Sequence, residues 1–403
     1  MRLLVTGHKG YIGTILSRTL LDAGHEVWGL DSDLYAACTF GDGIPEIPEI
    51  VKDIRDVTAS DLRGFDGIAH LAGLSNDPLG DLDPHLTDEI NHRASVRLGR
   101  LAKQAGVPRF VFSSSCSNYG AAGDNMVEET SAFNPVTPYG RSKVDAERGL
   151  TQLADTAFTP VFLRSATAYG VSPRLRFDLV LNNLVAWAYT TGLVYLKSDG
   201  RPWRPVVHIE DISRAFQAAL EAPRESVHLE AFNVGNLGEN YRISELAEIV
   251  RQTVPGSRVE FASDASPDLR CYRVDFTKIT KRLPGFQATW TAARGAQELY
   301  DAYRKVGLNL EDFEGERYKL QVFVNDVRAK SLDIDPAADV AHDQVAGHRV
   351  NLERSLAWNL DSQVTGQDLG HDHALALISS PQAARLPPEL HLRAVPALNL
   401  RIA

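Results

Sequence analysis

Sulfur-containing residues and long apolar runs are scarce in this chain. Its 403 residues include three cysteines, Cys38, Cys116 and Cys271, which stand far apart and are odd in number. Such a set does not make a disulfide framework and is typical of a reducing compartment. No apolar run approaches the ~18 residues of a membrane-spanning helix, and no basic-then-apolar leader precedes the first predicted strand. We therefore expect a cytoplasmic protein that has no membrane partner.

An excess of positive charge is also lacking. Lys and Arg total 42 against 52 Asp and Glu, which gives a formal net charge of −10. This balance argues against nonspecific binding to nucleic acids or anionic membranes. The hydrophobic fraction of 44% and the charged fraction of 23% are ordinary for a globular protein. The length allows one large domain or two of ordinary size.

What the sequence does contain is a glycine-rich turn at its start. A predicted strand runs into Gly7, Gly10 and Gly13, and an amphipathic stretch follows up to residue 23. In a dinucleotide site the first glycine allows a tight turn, the second lets the backbone approach the pyrophosphate, and the third lets the helix pack on the strand. The N–H groups of the helix N-terminus then face the phosphates. We predict cofactor contacts at Gly7, Gly10, Tyr11, Ile12 and Gly13.

The second predicted strand, residues 25–31, ends in a carboxylate. A carboxylate at this place accepts hydrogen bonds from the adenosine ribose hydroxyls and repels a 2′-phosphate. Asp31 therefore favours NAD over NADP as the cofactor. Asp33 is a second candidate, and for either residue the alternative interpretation is a simple turn residue.

Strands and helices alternate along the first half of the chain. Strands are predicted at residues 49–54, 67–73 and 109–113, and a helix at 91–105. This alternation predicts a Rossmann-type, doubly wound parallel sheet of the α/β class. The small residues that end the 67–73 strand allow a cofactor to approach the backbone closely.

The chain divides into three predicted regions. Residues 1–165 form mainly the NAD-binding domain, and 166–330 a smaller α/β substrate-binding region with a helix at 244–254 capped by Ser244. Residues 331–403 carry turn signals and weak periodicity, so we treat them as an appendage of unknown role, in which partial disorder is one interpretation. His371 and His373 lie there without a cysteine or a helical ligand spacing, and no metal site is predicted.

A catalytic pattern follows the strand at 109–113. Tyr139 and Lys143 are four residues apart in a helix-compatible run, so they share one helix face. A tyrosine is a poor base because its usual pKa is about 10, but a nearby ammonium group and an oxidised nicotinamide both favour the phenolate. A hydroxyl from the serine run at 113–117 can hold a substrate oxygen while an alcohol becomes a ketone.

Together these features resemble the extended short-chain dehydrogenase/reductase family, in its NAD-dependent epimerase/dehydratase branch that acts on nucleotide sugars. The resemblance covers roughly residues 1–328 and includes the Tyr119-Gly120 pair. It implies that Tyr139 is the general base and acid, with Lys143 as its partner. Counted back from Tyr119, Ser115 falls where the family has its catalytic hydroxyl. The cofactor contacts that it implies beyond the glycine turn are Asp31, Asp53, Ile54, Leu71, Ala72, Gly73, Asn91, Ser113, Tyr139 and Lys143.

The resemblance continues on the substrate side. It implies that Arg204 and Arg270 bind the diphosphate of a nucleotide-diphosphate sugar, for which guanidinium groups suit because they bind phosphate oxygens in bidentate fashion. The resemblance also implies that Asn183 lies in the segment that wraps the sugar nucleotide and that Ser115 and Ser117 face the sugar. An insertion at residues 75–84 is either a cover for the nicotinamide side of the cleft or a surface loop.

The residues after Ser115 bear on the choice of reaction. In the family, 4,6-dehydratases carry an Asp-Glu pair directly after the catalytic hydroxyl, whereas this chain has Cys116 and Ser117. A 3,5-epimerase carries a cysteine base at the position of Ser117, so that match also fails, and Cys116 is interpreted as a packing residue. We therefore predict an NAD-dependent nucleotide-sugar epimerase that acts at C4.

Two alternatives remain at this point. One is a keto-reductase or an atypical dehydratase of the same family, and the other is a non-catalytic NAD-binding sensor, which typically lacks the Tyr/Lys pair. The helices predicted at 91–105 and 138–155 correspond to a four-helix dimer interface in the family, so a homodimer is expected.

Overall fold

The computed structural model describes residues 1–314 except 35, 37, 42, 76–82 and 267–269, with only the backbone described at 263–266. The predicted appendage at 331–403, which includes His371 and His373, and most of the predicted insertion at 75–84 lie outside the described residues. Among the described helices, none is long and apolar enough to cross a membrane.

A seven-stranded sheet forms the centre of the described chain. Its strand order is β11-β7-β5-β4-β1-β2-β3, and every neighbouring pair is parallel. The prediction of a doubly wound parallel sheet is confirmed. The strands are β1 (Arg2–Thr6), β2 (Glu26–Asp31), β3 (Glu49–Val51), β4 (Gly67–His70), β5 (Arg109–Ser115), β7 (Thr159–Ser165) and β11 (Ala231–Val234).

Apolar side chains on both faces explain why these strands are central. Leu3, Leu4 and Val5 of β1 are all fully buried, as expected for a parallel sheet that is covered on both sides. Leu3 and Val5 pack in one cluster with Leu16 of the first helix. Because side chains alternate along a strand, Leu4 points to the opposite face. The strand order reverses between β1 and β4, which is where such sheets bind their ligands.

Helices cover this sheet and the smaller region beyond it. Helix α1 (Tyr11–Asp22) contacts α6 (Ile209–Glu221), and the helical run from residue 84 to 104 contacts α4 (Pro138–Thr151). That run is made of α2 (Pro84–Thr87), a π-helical turn (Asp88–Ala94) and α3 (Ser95–Gln104). The other helices are α5 (Val180–Thr191), α7 (Arg224–Val227), α8 (Ile243–Thr253), α9 (Thr277–Arg282), α10 (Ala292–Val306) and α11 (Leu310–Glu314), with short 3₁₀ turns at Ala59–Leu62 and Cys116–Tyr119.

Three small sheets lie beside the main sheet. Strand β10 (Trp203–His208) pairs with β8 (Thr167–Tyr169) and β12 (Asn240–Arg242). Strand β14 (Cys271–Val274) pairs with β6 (Ala121–Val127), and β13 (Arg258–Ser266) pairs with β9 (Leu193–Ser198). Because β6 follows β5 closely in the chain, β14 brings the second half of the sequence to the end of β5.

Two helix starts differ from the prediction. The helix expected at 91–105 begins at Pro84, capped by the Asp83 carboxylate, which accepts a hydrogen bond from the Leu86 N–H. The helix expected at 244–254 begins at Ile243, so the assignment of Ser244 as its cap was wrong. The Ser244 N–H instead donates to the Gly200 carbonyl, and the Glu245 carboxylate accepts from the backbone N–H of residue 242.

Candidate active site

The glycine turn has no room for side chains. Gly7 has a φ of +72°, and a Cβ there would lie 2.8 Å from the Ala72 nitrogen. A Cβ at Gly13 would overlap the Gly7 carbonyl oxygen, and the Gly10 N–H donates to that same oxygen at 2.9 Å. Gly10 is the N-cap of α1 and brings no capping side chain. The turn therefore leaves space and first-turn N–H groups for a pyrophosphate, which fits a dinucleotide.

Asp31 ends β2 next to this turn. Its carboxylate accepts hydrogen bonds from the backbone N–H of Lys9 at 3.0 Å and from that of Asp33 at 2.8 Å. These two bonds fix the orientation of the carboxylate without neutralising it, so its charge can act on a ribose. Asp33 has a φ of +50°, and its side chain pairs with the Arg174 guanidinium at 2.9 Å.

The other predicted adenosine and nicotinamide contacts lie at neighbouring strand ends. The Asp53 carboxylate accepts from the Arg55 side chain and N–H at 2.9–3.0 Å, and Ile54 is buried. After β4, the N–H of Leu71 donates to the Thr6 carbonyl and the N–H of Ala72 to the Thr6 hydroxyl. The loop is thus held against the end of β1.

Asn91 is buried and joins this loop to α4. Its amide accepts from the Leu74 N–H at 2.7 Å, donates to the Leu74 carbonyl at 2.8 Å and donates to the Ser142 hydroxyl at 3.3 Å. A Cβ at Gly73 would lie 2.8 Å from the Asn91 carbonyl oxygen. In this structure Asn91 therefore positions the loop around Gly73 against α4.

Tyr139 and Lys143 lie one turn apart on α4, which begins at Pro138 with the Thr137 hydroxyl as its cap. The Lys143 ammonium donates to the Ser113 carbonyl at 2.8 Å and lies 5.7 Å from the centre of the Tyr139 ring. Burial lowers the pKa of Lys143 to about 8, while the charge of Glu147 acts in the opposite direction. The ammonium is therefore present at neutral pH and close to losing its proton.

The serine run lies at the end of β5. Ser115 closes the strand, and its hydroxyl lies 3.1 Å from both the hydroxyl and the N–H of Ser117. The side chain of Ser117 lies near the buried Tyr272 of β14. Cys116 points into the core, donates to the Arg164 carbonyl and has its pKa raised by burial. A thiol in this state is protonated and does not act as a base.

A buried ion pair close to the predicted catalytic residues was missed from sequence. Glu147 accepts from the Ser114 hydroxyl, from the Asn118 amide and from both sides of the Arg164 guanidinium, at 2.7 and 2.9 Å for the latter. The guanidinium also donates to the Tyr119 hydroxyl. The pair therefore ties α4, β7 and both sides of Ser115 together. The spacing 139, 143, 147 on one helix face was a visible indication of it.

Three of the predicted substrate residues, Asn183, Arg204 and Arg270, lie in the smaller region. Arg204 on β10 is buried, donates to the Trp203 and Arg270 carbonyls and lies 5.9 Å from the Tyr272 ring. Arg204 and Arg270, the predicted diphosphate residues, both lie near Tyr272, which in turn lies near Ser117. The structure therefore brings them to the end of β5. Asn183 lies near the start of α5, and its amide donates to the Phe177 carbonyl at 2.9 Å.

Comparisons with known proteins agree with this geometry. The family model described as NAD dependent epimerase/dehydratase family matches residues 3–235. A UDP-glucose 4-epimerase of Bacillus subtilis is 26% identical over 346 residues, covering 78% of this chain and 99% of that protein. A UDP-glucose 4-epimerase of Neisseria meningitidis serogroup A is 28% identical, covering 77% and 99%.

Solved structures show the same similarity. MoeE5 in complex with UDP-glucose and NAD is 27% identical, with a TM-score of 0.66 and coverage of 76% of this chain and 100% of that one. DesIV, a dTDP-glucose 4,6-dehydratase from Streptomyces venezuelae with NAD bound, is 26% identical, with a TM-score of 0.66 and coverage of 79% and 100%.

Proposed function

The chain belongs to the NAD dependent epimerase/dehydratase family, and from this premise we propose that it is a nucleotide-sugar epimerase that acts at C4. It is an enzyme with NAD as its cofactor. The observation that carries the proposal is the composition of the end of β5. Ser115 ends the strand whose Ser113 carbonyl accepts a hydrogen bond from Lys143 of α4, and the two positions after Ser115 hold a buried thiol and a hydroxyl rather than an acid and a base.

Tyr139 is the group that moves the proton. In the forward direction its phenolate takes the proton of the sugar 4-hydroxyl, and in the return direction the phenol gives it back. NAD, when bound at the glycine turn, would supply the hydride acceptor for C4 and, on the other face of the keto-sugar, the hydride donor. Because proton and hydride both come back, the reaction needs no net oxidant.

Lys143 and Ser115 support this step. The Lys143 ammonium, held by the Ser113 carbonyl, favours the phenolate through its charge. The Ser115 hydroxyl donates to the substrate oxygen, which becomes a ketone and then an alcohol again. Arg204 and Arg270 bind the diphosphate and so anchor the nucleotide while the keto-sugar rotates to present its other face.

Absence of an acid–base pair separates this proposal from a dehydratase. Elimination of water across C5 and C6 requires one group to remove a proton and another to protonate the leaving hydroxyl. Cys116 has its pKa raised by burial, and the Ser117 hydroxyl hydrogen-bonds that of Ser115. Neither supplies a carboxylic acid.

A product assay tests the proposal. The purified enzyme is incubated with UDP- and GDP-hexoses, and products are separated by chromatography while the absorbance of NADH is followed. We expect a 4-epimer with no accumulation of NADH. A dehydrated sugar, or a reduced sugar formed with stoichiometric consumption of NADH, would contradict the proposal.

We further propose a cytoplasmic homodimer. Helix α4 and the helical run at residues 84–104 pack together beside the sheet, as in the pair expected to form the interface. Cys38, Cys116 and Cys271 are free thiols, which suits a reducing compartment. Sedimentation at micromolar concentration should give a dimer, and a monomer would contradict this proposal.

A further inference from the structure

Residues 170–178, which we call the strap, connect β8 to α5 and lie against the start of α1. The Tyr11 hydroxyl donates to the Gly170 carbonyl at 2.8 Å, and the Ser172 hydroxyl donates to the Tyr11 carbonyl at 2.8 Å. Ser172 also lies 2.9 Å from the Thr14 hydroxyl. Tyr11 is the first residue of α1 and lies between Gly10 and Gly13. The strap is therefore fixed to the helix turn that faces the pyrophosphate.

From there the strap reaches the ribose end of the cleft. The Phe40 N–H donates to the Pro173 carbonyl at 2.8 Å. The Arg174 guanidinium donates to the Thr39 hydroxyl at 3.0 Å and to the Asp33 carboxylate at 2.9 Å. A segment of the substrate half therefore runs along the cofactor half between the glycine turn and the end of β2.

The ion pair at this end is well buried on one side. The Arg174 side chain is 6% exposed and the Asp33 side chain 28%. The other Asp33 oxygen lies 3.2 Å from the Lys9 ammonium, and the Asp33 N–H donates to Asp31. Because a buried guanidinium is costly without its anion, Arg174 leaves Asp33 only with a large free-energy cost. The same contacts tie the strap to the residue predicted to bind the ribose.

We propose that Arg174, through Asp33, holds the strap closed along the cofactor cleft and thereby retains NAD between turnovers. This rests on the proposed function, because an epimerase that takes its hydride back has no need to exchange the cofactor, whereas a reductase releases it in every cycle. Arg174 is in this role a positioning residue that acts through Asp33 and the strap.

The test is the dissociation rate of NAD with no sugar present. The protein is loaded with radiolabelled NAD, chased with unlabelled NAD and desalted at intervals. We expect Arg174→Gln and Asp33→Asn each to release NAD at least tenfold faster than the unaltered protein, and to lose more of it during gel filtration. Arg251→Gln is the matched control, since Arg251 pairs with Glu248 on the surface of α8, and it should match the unaltered protein.

Two further measurements on the variants complete the test. Thermal unfolding of each variant with saturating NAD establishes that it is folded. The activity of Arg174→Gln should rise with added NAD where that of the unaltered protein does not. An unchanged dissociation rate in either Arg174→Gln or Asp33→Asn would overturn the inference. Lack of epimerase activity in the unaltered protein would overturn the proposed function instead, and it is measured separately.

Discussion

In residues 1–165, which we call the cofactor half because we propose that they bind NAD, the groups of the candidate site come from the ends of adjacent parallel strands and from one helix face. In the described part of the substrate half they are held by contacts that are distant in sequence. Tyr139 and Lys143 are four residues apart, whereas Arg174 meets Asp33 across 141 residues and Arg204 meets Arg270 across 66. Under the proposed function, the first half carries the chemical step on one helix face, and the second half binds the substrate through tertiary packing. Substitutions in the two halves should therefore fail differently.

The largest expected effect is the loss of the chemical step in the cofactor half. Tyr139→Phe removes the proton-transferring hydroxyl, so turnover should fall by about 10²–10⁴-fold, while bound NAD stays at the level of the unaltered protein. Steady-state kinetics and NAD content after desalting measure both quantities. Tyr300→Phe, on α10, is the matched control. Turnover within tenfold of normal in Tyr139→Phe would remove this residue from its role.

Glu147→Gln should change both stability and pH dependence. It leaves the Arg164 guanidinium buried without its anion, which should lower the free energy of unfolding by about 3–5 kcal/mol. Glu147 raises the pKa of Lys143, which burial lowers to about 8. Without that anion the pKa falls further, so activity should be lost at a lower pH than in the unaltered enzyme. Denaturant unfolding and a pH–rate profile test the two effects.

An unshifted alkaline limb in Glu147→Gln, alongside the expected loss of stability, would show that the ion pair has only a structural role. Arg148→Gln is the control for this helix, because Arg148 is exposed and pairs with Asp145 on the surface. Its stability and its pH–rate profile should both stay as in the unaltered enzyme.

A smaller effect is expected in the substrate half. Arg204→Gln removes a charged donor to the diphosphate, which is worth about 1.5–3 kcal/mol, so KM should rise tenfold to a hundredfold with a much smaller change in kcat. Arg201→Gln, with an 84% exposed side chain on the same segment, should leave KM unchanged. A fall in kcat with constant KM would place Arg204 in the chemical step and break the division between the halves.

The smallest effect, taken over a single pH unit, concerns acid stability. His70 is buried between the Thr6 and Ser95 hydroxyls, and burial lowers its pKa to about 3. Between pH 6.5 and 3 the unfolded chain binds a proton at this residue that the folded chain does not. Stability should therefore fall with decreasing pH by up to about 1.4 kcal/mol per pH unit. His70→Gln should lack this component in urea unfolding at several pH values, and an identical slope would contradict it.

The distance along the chain between contacting residues explains how much could be predicted from sequence. The parallel sheet, the glycine turn and the shared face of Tyr139 and Lys143 follow from periodicity and short spacings, so they were accessible. The Glu147–Arg164 pair and the Arg174–Asp33 pair join residues whose proximity depends on the folded chain. The start of α8 was misjudged because the Ser244 N–H bonds the Gly200 carbonyl, a contact that no local pattern shows.

The central claim is that the hydride leaves a sugar carbon and returns to it. The most direct test is the fate of deuterium at C4 of a UDP-hexose during conversion in ordinary water, followed by mass spectrometry and proton NMR. We expect the 4-epimer to keep all of its deuterium at C4, with no NADH released. Loss of deuterium to the solvent, its accumulation on released cofactor, or a product lacking water would contradict the account.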